Sequence, residues 1–254
     1  MSRQPAPFAL LMDVGNTRVK WGAYNLVTED WLDKGVLDHD ALPAWLSDNT
    51  WIGGARQLLG SHVAGAHIRQ AIDTACDGRM QWLTPESQSH GVTNRYLMPE
   101  KLGPDRWASL IAVHRLSPSN SLVVNAGTAL TVDVLNEHGV FCGGLIVPGL
   151  QLMLASLASG TAGLPRQPGE WQAYPDNTGN ALYSGAIQAL AGSIMQMAHQ
   201  MLQDGMTPGQ CVLSGGDADK IAPHLNLPCV IVDHLVLDGL ACIASDLFKV
   251  NARS

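Results

Sequence analysis

The sequence predicts an α/β protein made of two similar βββαβα halves. Three observations predict it. First, an apolar run at residues 8–12 ends on the carboxylate of Asp13, turns at Gly15-Asn16 and resumes as a strand-like run from Arg18. Second, the same order returns downstream. An apolar run at 122–124 leads into Asn125-Ala126-Gly127-Thr128-Ala129, and residues 130–135 continue as a strand. Third, further strands and then helical patterns follow each copy. Two such halves facing each other would set two hairpins across one cleft. The halves divide at 1–116 and 117–254, and a chain of 254 residues has room for both.

Composition narrows the function classes. Hydrophobic residues make up 46% of the chain, enough for a sizeable core. A formal charge of −7 argues against a nucleic-acid surface. The cysteines Cys76, Cys142, Cys211, Cys229 and Cys242 are scattered, and none forms a Cys-x-x-Cys pair. They read as free thiols in a reducing cytoplasm, with neither a disulfide framework nor a zinc site. Residues 1–7 lack the basic-then-apolar pattern of a signal peptide. Pro148, several glycines, Gln151, Ser156 and Ser159 interrupt the apolar stretch 143–164, so no membrane span is expected.

In the first half, Gly15 and Asn16 both tolerate positive φ, which suits a hairpin turn. Glycine also lets a backbone N–H approach a ligand. Residues 31–37 read as a third strand and 40–46 as a short helix with Asp40 near its start. Residues 58–62 read as a strand, 65–76 as a helix and 80–83 as a short strand. Residues 85–99 are polar and without period. The stretch 101–116 holds a helix, with Trp107, Leu110, Ile111 and His114 spaced for one buried face.

In the second half, Asn136-Glu137-His138-Gly139 turns the chain, and residues 140–147 return as a strand. Residues 150–157 read as a helix. Residues 160–176 read as a mobile Gly- and Pro-rich loop. Residues 178–202 give the longest helical pattern. Strands are expected at 212–213 and 230–232, and a closing helix at 235–248.

The chemistry sits at the turns. There is no P-loop, dinucleotide fingerprint, nucleophile elbow or His-Glu-x-x-His motif. An acid able to hold Mg²⁺, with N–H and O–H donors on one hairpin, suits a polyphosphate. Asp13, Gly15 and Thr17 supply that set, although an ordinary turn begun by an Asp fits as well. Gly127, Thr128 and Thr131 offer neutral donors for a transferring phosphoryl group. Ser214-Gly215-Gly216 ends a strand where a nucleoside can pack on bare backbone. In Gly103-Pro104-Asp105-Arg106, Asp105 can act as a general base and Arg106 can hold a carboxylate or phosphate. The same spacing also suits an Asp that caps the helix and pairs with Arg106 at the surface.

Taken together, these motifs resemble type III pantothenate kinases. Asp13-Val14-Gly15-Asn16-Thr17 with Lys20 is similar to that family's first phosphate motif. Gly103-Pro104-Asp105-Arg106 is similar to its substrate motif, and Gly127-Thr128-Ala129-x-Thr131 to its second phosphate motif. Gly143-Gly144-x-Ile146-x-Pro148-Gly149 and Asn177-Thr178-x-x-Ala181-x-x-Ser184-Gly185 follow in the same order. The resemblance runs from Phe8 to about Phe248. It implies an actin-like fold, that of acetate and sugar kinases, heat-shock chaperones and actin. It implies ATP-dependent phosphorylation of pantothenate to 4′-phosphopantothenate, the first step of coenzyme A biosynthesis.

Site roles follow from the same resemblance. Asp105 is the catalytic base. Asp13, Gly15, Asn16, Thr17, Lys20, Gly127, Thr128, Thr131, Ser214, Gly215 and Gly216 face ATP. Tyr96, Gly103, Pro104, Asp105, Arg106 and Thr178 face pantothenate. Asp13 organises Mg²⁺. A homodimer is implied, with a monovalent cation, K⁺ or NH₄⁺, and with no nucleic acid or membrane partner. One position departs from the family: Asn125 stands where an Asp associated with that cation is common, which puts cation dependence in question. Some relatives resemble accessory transcriptional activators, so a binding module is the alternative class. The presence of both Asp13 and Asp105 argues for catalysis.

Overall fold

The computed structural model describes residues 6–160 and 169–251. The chain forms two units, Met1–Leu116 with His234–Ser254, and Ser117–Asp233.

The first unit contains β1 (Phe8–Val14), β2 (Arg18–Asn25), β3 (Trp31–Asp38), α1 (Leu42–Asp48), α2 (Thr50–Gly54), β4 (Gln57–His62), α3 (Ala66–Ala75) and β5 (Gln81–Trp82). The short strands β6 (Gln88–Ser89) and β7 (Val92–Asn94) and helix α4 (Pro104–Leu116) complete its first segment. The sheet runs β3-β2-β1-β4-β5. Strands β1, β2 and β3 pair antiparallel, whereas β1–β4 and β4–β5 are parallel.

The second unit contains β8 (Ser121–Ala126), β9 (Ala129–Leu135), β10 (Val140–Pro148), α5 (Leu150–Gly160), α6 (Thr178–Gln203), β11 (Gln210–Ser214), α7 (Ala218–Ile221) and β12 (Cys229–Ile231). Its strands run β10-β9-β8-β11-β12 with the same pattern, two antiparallel and then two parallel steps. The duplication seen in sequence is therefore one of topology. Each unit reads βββααβαβ, one helix and one edge strand longer than expected.

Helix α8 (Leu235–Asn251) corrects the expected boundary, which placed it in the second half. It packs on α4, β1 and β4 of the first unit. The reason is local. A side chain on Gly239 would run into the Ala108 carbonyl, so glycine here lets the backbones of α8 and α4 touch. Helix α4 is buried from Arg106 to Val113 without a break, rather than on the single face expected. His114 itself is only half-buried.

Central strand β1 is buried along its whole length. Phe8, Leu10, Met12 and Val14 face a core with Trp21, Leu42, Ile52, Ile68 and Ile72. Leu11 and Asp13 alternate onto the opposite face, as strand geometry requires. In the second unit, Leu122, Val124, Leu130 and Val132 pack against Ile187, Leu190 and Ile194 of α6.

The polar stretch at 85–99 holds an unforeseen hairpin. His90 and Gly91 both take positive φ, 51° and 82°, between β6 and β7, the conformation of a two-residue turn. Of the expected loop at 160–176, residues 161–168 lie outside the described residues. Among those described, no helix is long and apolar enough to cross a membrane, and all five cysteines are free.

Candidate active site

Each unit carries one row of polar residues across three adjacent strands. In the first, Asp13 of β1 stands opposite Lys20 of β2 and Ser61 of β4. In the second, Asn125 of β8 stands opposite Thr131 of β9 and Ser214 of β11. Paired residues on neighbouring strands share a face, so each row points to one side of its sheet. Each row lies where its first hairpin turns.

Both turns are built differently from expectation. Neither Gly15 nor Asn16 has positive φ. Gly15 N–H donates to the Arg18 carbonyl at 3.0 Å, and Gly127 N–H donates to the Ala129 carbonyl at 3.1 Å. Closing the turn uses the glycine N–H groups that were expected to meet a ligand. Gly15 is needed instead for room, because a Cβ there would crowd the Arg18 carbonyl at 3.2 Å. The tips, Asn16-Thr17 and Gly127-Thr128, are exposed.

Neighbouring segments hold both turns. His39 Nε2 lies 3.0 Å from the Gly15 carbonyl. In the second unit Gly149 N–H donates to the Thr128 carbonyl at 2.9 Å, and a side chain on Gly149 would strike the Gly127 carbonyl. Gly215 has φ of 102°, and its Cα lies against Ala126, where a side chain would clash with the backbone. Asp217 N–H donates to the Ala126 carbonyl at 3.2 Å, and Asp217 Oδ1 holds Lys220 Nζ at 2.7 Å. The structure thus brings Asn125, Gly127, Thr128, Thr131, Ser214, Gly215 and Gly216 to one end of the second sheet. Thr178 lies elsewhere, exposed at the first turn of α6 behind the Asn177 cap. It borders a groove of about 560 Å³ between α5 and α6, with Met153, Leu157 and Leu182.

In the first unit Asp13 is the most perturbed carboxylate. Burial pushes its pKa up to about 6, Lys20 opposes the rise, and the charge of Asp105 adds to it. Lys20 Nζ is 4.0 Å from Asp13 Oδ2. Asp105 sits in the first turn of α4. Burial raises its pKa as well, opposed by the Arg106 N–H, which donates to Oδ1 at 2.9 Å, and by the Arg106 charge. A side chain on Gly103 would meet the same Oδ1 at 2.5 Å, so this glycine makes space for the carboxylate.

Arg106 does not pair with Asp105 at the surface. It is 3% exposed, and its Nη1 donates to the Tyr96 hydroxyl at 2.9 Å. Asn94 holds the tyrosine segment, accepting from Tyr96 N–H at 3.0 Å and donating to the Pro99 carbonyl at 3.1 Å. Asp13, Gly15, Asn16, Thr17, Lys20, Tyr96, Gly103, Pro104, Asp105 and Arg106 therefore all belong to the first unit, with Asp13 and Asp105 electrostatically coupled.

Sequence reasoning missed His39, Ser61, Asn94 and the contact role of Gly149. Ser61 had a readable signal. Leu58-Leu59-Gly60-Ser61 occupies in the first repeat the place of Cys211-Val212-Leu213-Ser214 in the second.

Comparisons with known proteins bear on the family and the fold. The type III pantothenate kinase family model matches residues 9–200. The type III pantothenate kinase of Laribacter hongkongensis is 41% identical, over 92% of this chain and 98% of its own. That of Aromatoleum aromaticum is 43% identical, over 93% and 98%. Among solved structures, a Campylobacter jejuni protein named for the Baf family of transcriptional activators superposes with TM-score 0.62 at 18% identity, covering 96% of this chain and 100% of its own. Ethanolamine utilization protein EutJ from Carboxydothermus hydrogenoformans gives 0.55 at 12% identity, covering 95% and 90%. These structures share the actin-like fold and, at such identities, nothing finer. The extent and identity of the sequence matches are decisive, and the chain belongs to the type III pantothenate kinase family.

Proposed function

We propose that this chain phosphorylates pantothenate with ATP, using Asp105 as the base. In the step, the primary hydroxyl oxygen of pantothenate attacks the γ-phosphorus and forms a new P–O bond. The bond from that phosphorus to the bridging oxygen breaks, ADP leaves, and the hydroxyl proton passes to the Asp105 carboxylate. The observation that carries this reading is Asp105 itself. A glycine beside it, a backbone N–H on one oxygen and a buried setting give a fixed carboxylate with a raised pKa. A capping role alone does not require the room left at Gly103.

Arg106, oriented by Tyr96, holds the pantothenate carboxylate as a charge-assisted partner. The tips Asn16-Thr17 and Gly127-Thr128, with Lys20 and Thr131, receive the phosphates. Ser214-Gly215-Gly216 receives the nucleoside. The oxygen donors around Asp13 suit a hard divalent cation: a buried carboxylate with the hydroxyl residue Ser61 opposite it on the adjacent strand. Mg²⁺ held at Asp13 would neutralise charge on the phosphates. Asn125 keeps an amide oxygen at the monovalent-cation position but not the charge, so we expect weaker dependence on K⁺ or NH₄⁺. The apolar groove between α5 and α6, with exposed Leu152 and Leu157, supports a homodimer. Five free cysteines support a reducing cytoplasm.

The test is ADP release by the purified protein. The reading predicts release that needs both Mg²⁺ and pantothenate. Folded protein that gives no pantothenate-dependent ADP contradicts it and favours a binding role.

A further inference from the structure

The buried serine of the first polar row has no function so far. Ser61 is 0% exposed, and its Oγ has no hydrogen-bond partner. A buried hydroxyl left unpaired destabilises the fold, because it has given up water and gained nothing. Such groups are few in native structures, and each calls for an explanation.

Three placements supply one. Ser61 is the parallel-strand partner of Asp13, so both side chains leave the sheet on one face. That face is the one covered by α4 and α8, and the first turn of α4 carries Asp105. The repeat gives an independent pointer. Ser214 bears the same relation to Asn125 that Ser61 bears to Asp13, and Ser214 belongs to the proposed nucleotide-facing set. Thr131, at the Lys20 position of the second row, has a buried and unpartnered Oγ1 as well. Orphaned hydroxyls thus stand beside the key residue of both rows.

We propose that Ser61 is a positioning residue for Asp13: its hydroxyl donates to the Asp13 carboxylate and fixes that carboxylate's orientation when a divalent cation is bound. This rests on reading Asp13 as the metal-organising residue. A rotation about the serine Cα–Cβ bond turns the O–H toward its neighbour on the adjacent strand. Groups behind a metal-holding carboxylate typically change metal affinity or activity about 10–100-fold when removed.

The test uses Ser61→Ala in the full chain. Three quantities are measured: melting temperature without divalent ions, Mn²⁺ affinity by electron paramagnetic resonance, and steady-state kinetics. The expected result is a melting temperature equal to or above that of the unmodified protein, Mn²⁺ affinity about 10-fold weaker, and kcat about 10-fold lower with KM for pantothenate unchanged. Ser61→Cys, of similar shape with a weak donor, should fall between the two. Unchanged Mn²⁺ affinity in a folded Ser61→Ala protein overturns the inference. If Ser61→Ala does not fold, Ser61→Cys with unmodified Mn²⁺ affinity overturns it equally. Failure of the kinase reading looks different: the unmodified protein would release no ADP, while the Mn²⁺ comparison would still decide the role of Ser61.

Discussion

The charge of Asp105, on the first turn of α4, raises the pKa of Asp13 on strand β1, adding to a burial effect that takes it to about 6. Two carboxylates on different elements therefore share one electrostatic environment, with Lys20 as the opposing cation.

A proton-linkage prediction follows from Asp13. Its folded pKa of about 6 lies above the ordinary 3.8. It therefore stabilises the fold fully below its unfolded pKa, and this contribution is lost as pH rises from about 4 through about 6. A divalent cation prefers the ionised carboxylate, so stabilisation by Mg²⁺ should grow across the same window. Thermal melts in chelator and in Mg²⁺, for the unmodified protein and Asp13→Asn, check this. The variant should lose both the extra slope in chelator and the Mg²⁺ response. Equal slopes in the two proteins would contradict the assignment.

Tyr96→Phe removes the hydroxyl that accepts from Arg106 Nη1. Hydrogen bonds to charged groups contribute about 1.5–3 kcal/mol, so an arginine left less well held should bind its substrate carboxylate poorly. KM for pantothenate should rise about 10-fold or more, with kcat and KM for ATP nearly unchanged. Steady-state kinetics with each substrate varied in turn provide the check. An unaltered pantothenate KM would remove Arg106 from the substrate site.

Asn125→Asp supplies the carboxylate that the family resemblance leads us to expect at this position. The unmodified enzyme should respond weakly to K⁺ and NH₄⁺, and the variant more strongly. Rates measured with K⁺, NH₄⁺ and a large organic cation test the pair. Strong K⁺ activation of the unmodified protein would show that amide and backbone oxygens suffice.

Gly239→Ala tests the packing of α8 with the first unit. The new methyl would run into the Ala108 carbonyl. Overpacking of this kind costs about 1–3 kcal/mol, and denaturant unfolding should show it. A variant as stable as the parent would mean that α8 can shift off α4 without loss.

The sequence made the strand order of the repeat readable because a hairpin ending on Asp13 or Asn125 is a local pattern. Helix α8 was misplaced because its partner, Ala108, is far away in sequence, and nothing in residues 235–248 says which half they cover. The β6–β7 hairpin escaped notice because two- and three-residue strands carry no period, and His90-Gly91 is not a usual turn pair. Asp105 and Arg106 were found by type and spacing. Their partners, the Gly103 space and the Tyr96 hydroxyl, depend on tertiary placement. Ser61 needed the register between β1 and β4, which no single stretch contains.

The central claim is that Asp105 accepts the proton of the pantothenate hydroxyl. Asp105→Asn keeps the size of the side chain and an oxygen to accept from Arg106 N–H, and it removes the basicity. An Asn serves nearly as well as an Asp at a helix start, so the fold should be retained. General-base catalysis contributes about 10²–10⁴-fold. Turnover with pantothenate and ATP, measured beside a thermal melt on the same sample, is the direct test. The account predicts a folded protein with nucleotide affinity intact and turnover lowered about a hundredfold or more. A folded Asp105→Asn protein with near-normal turnover would contradict it.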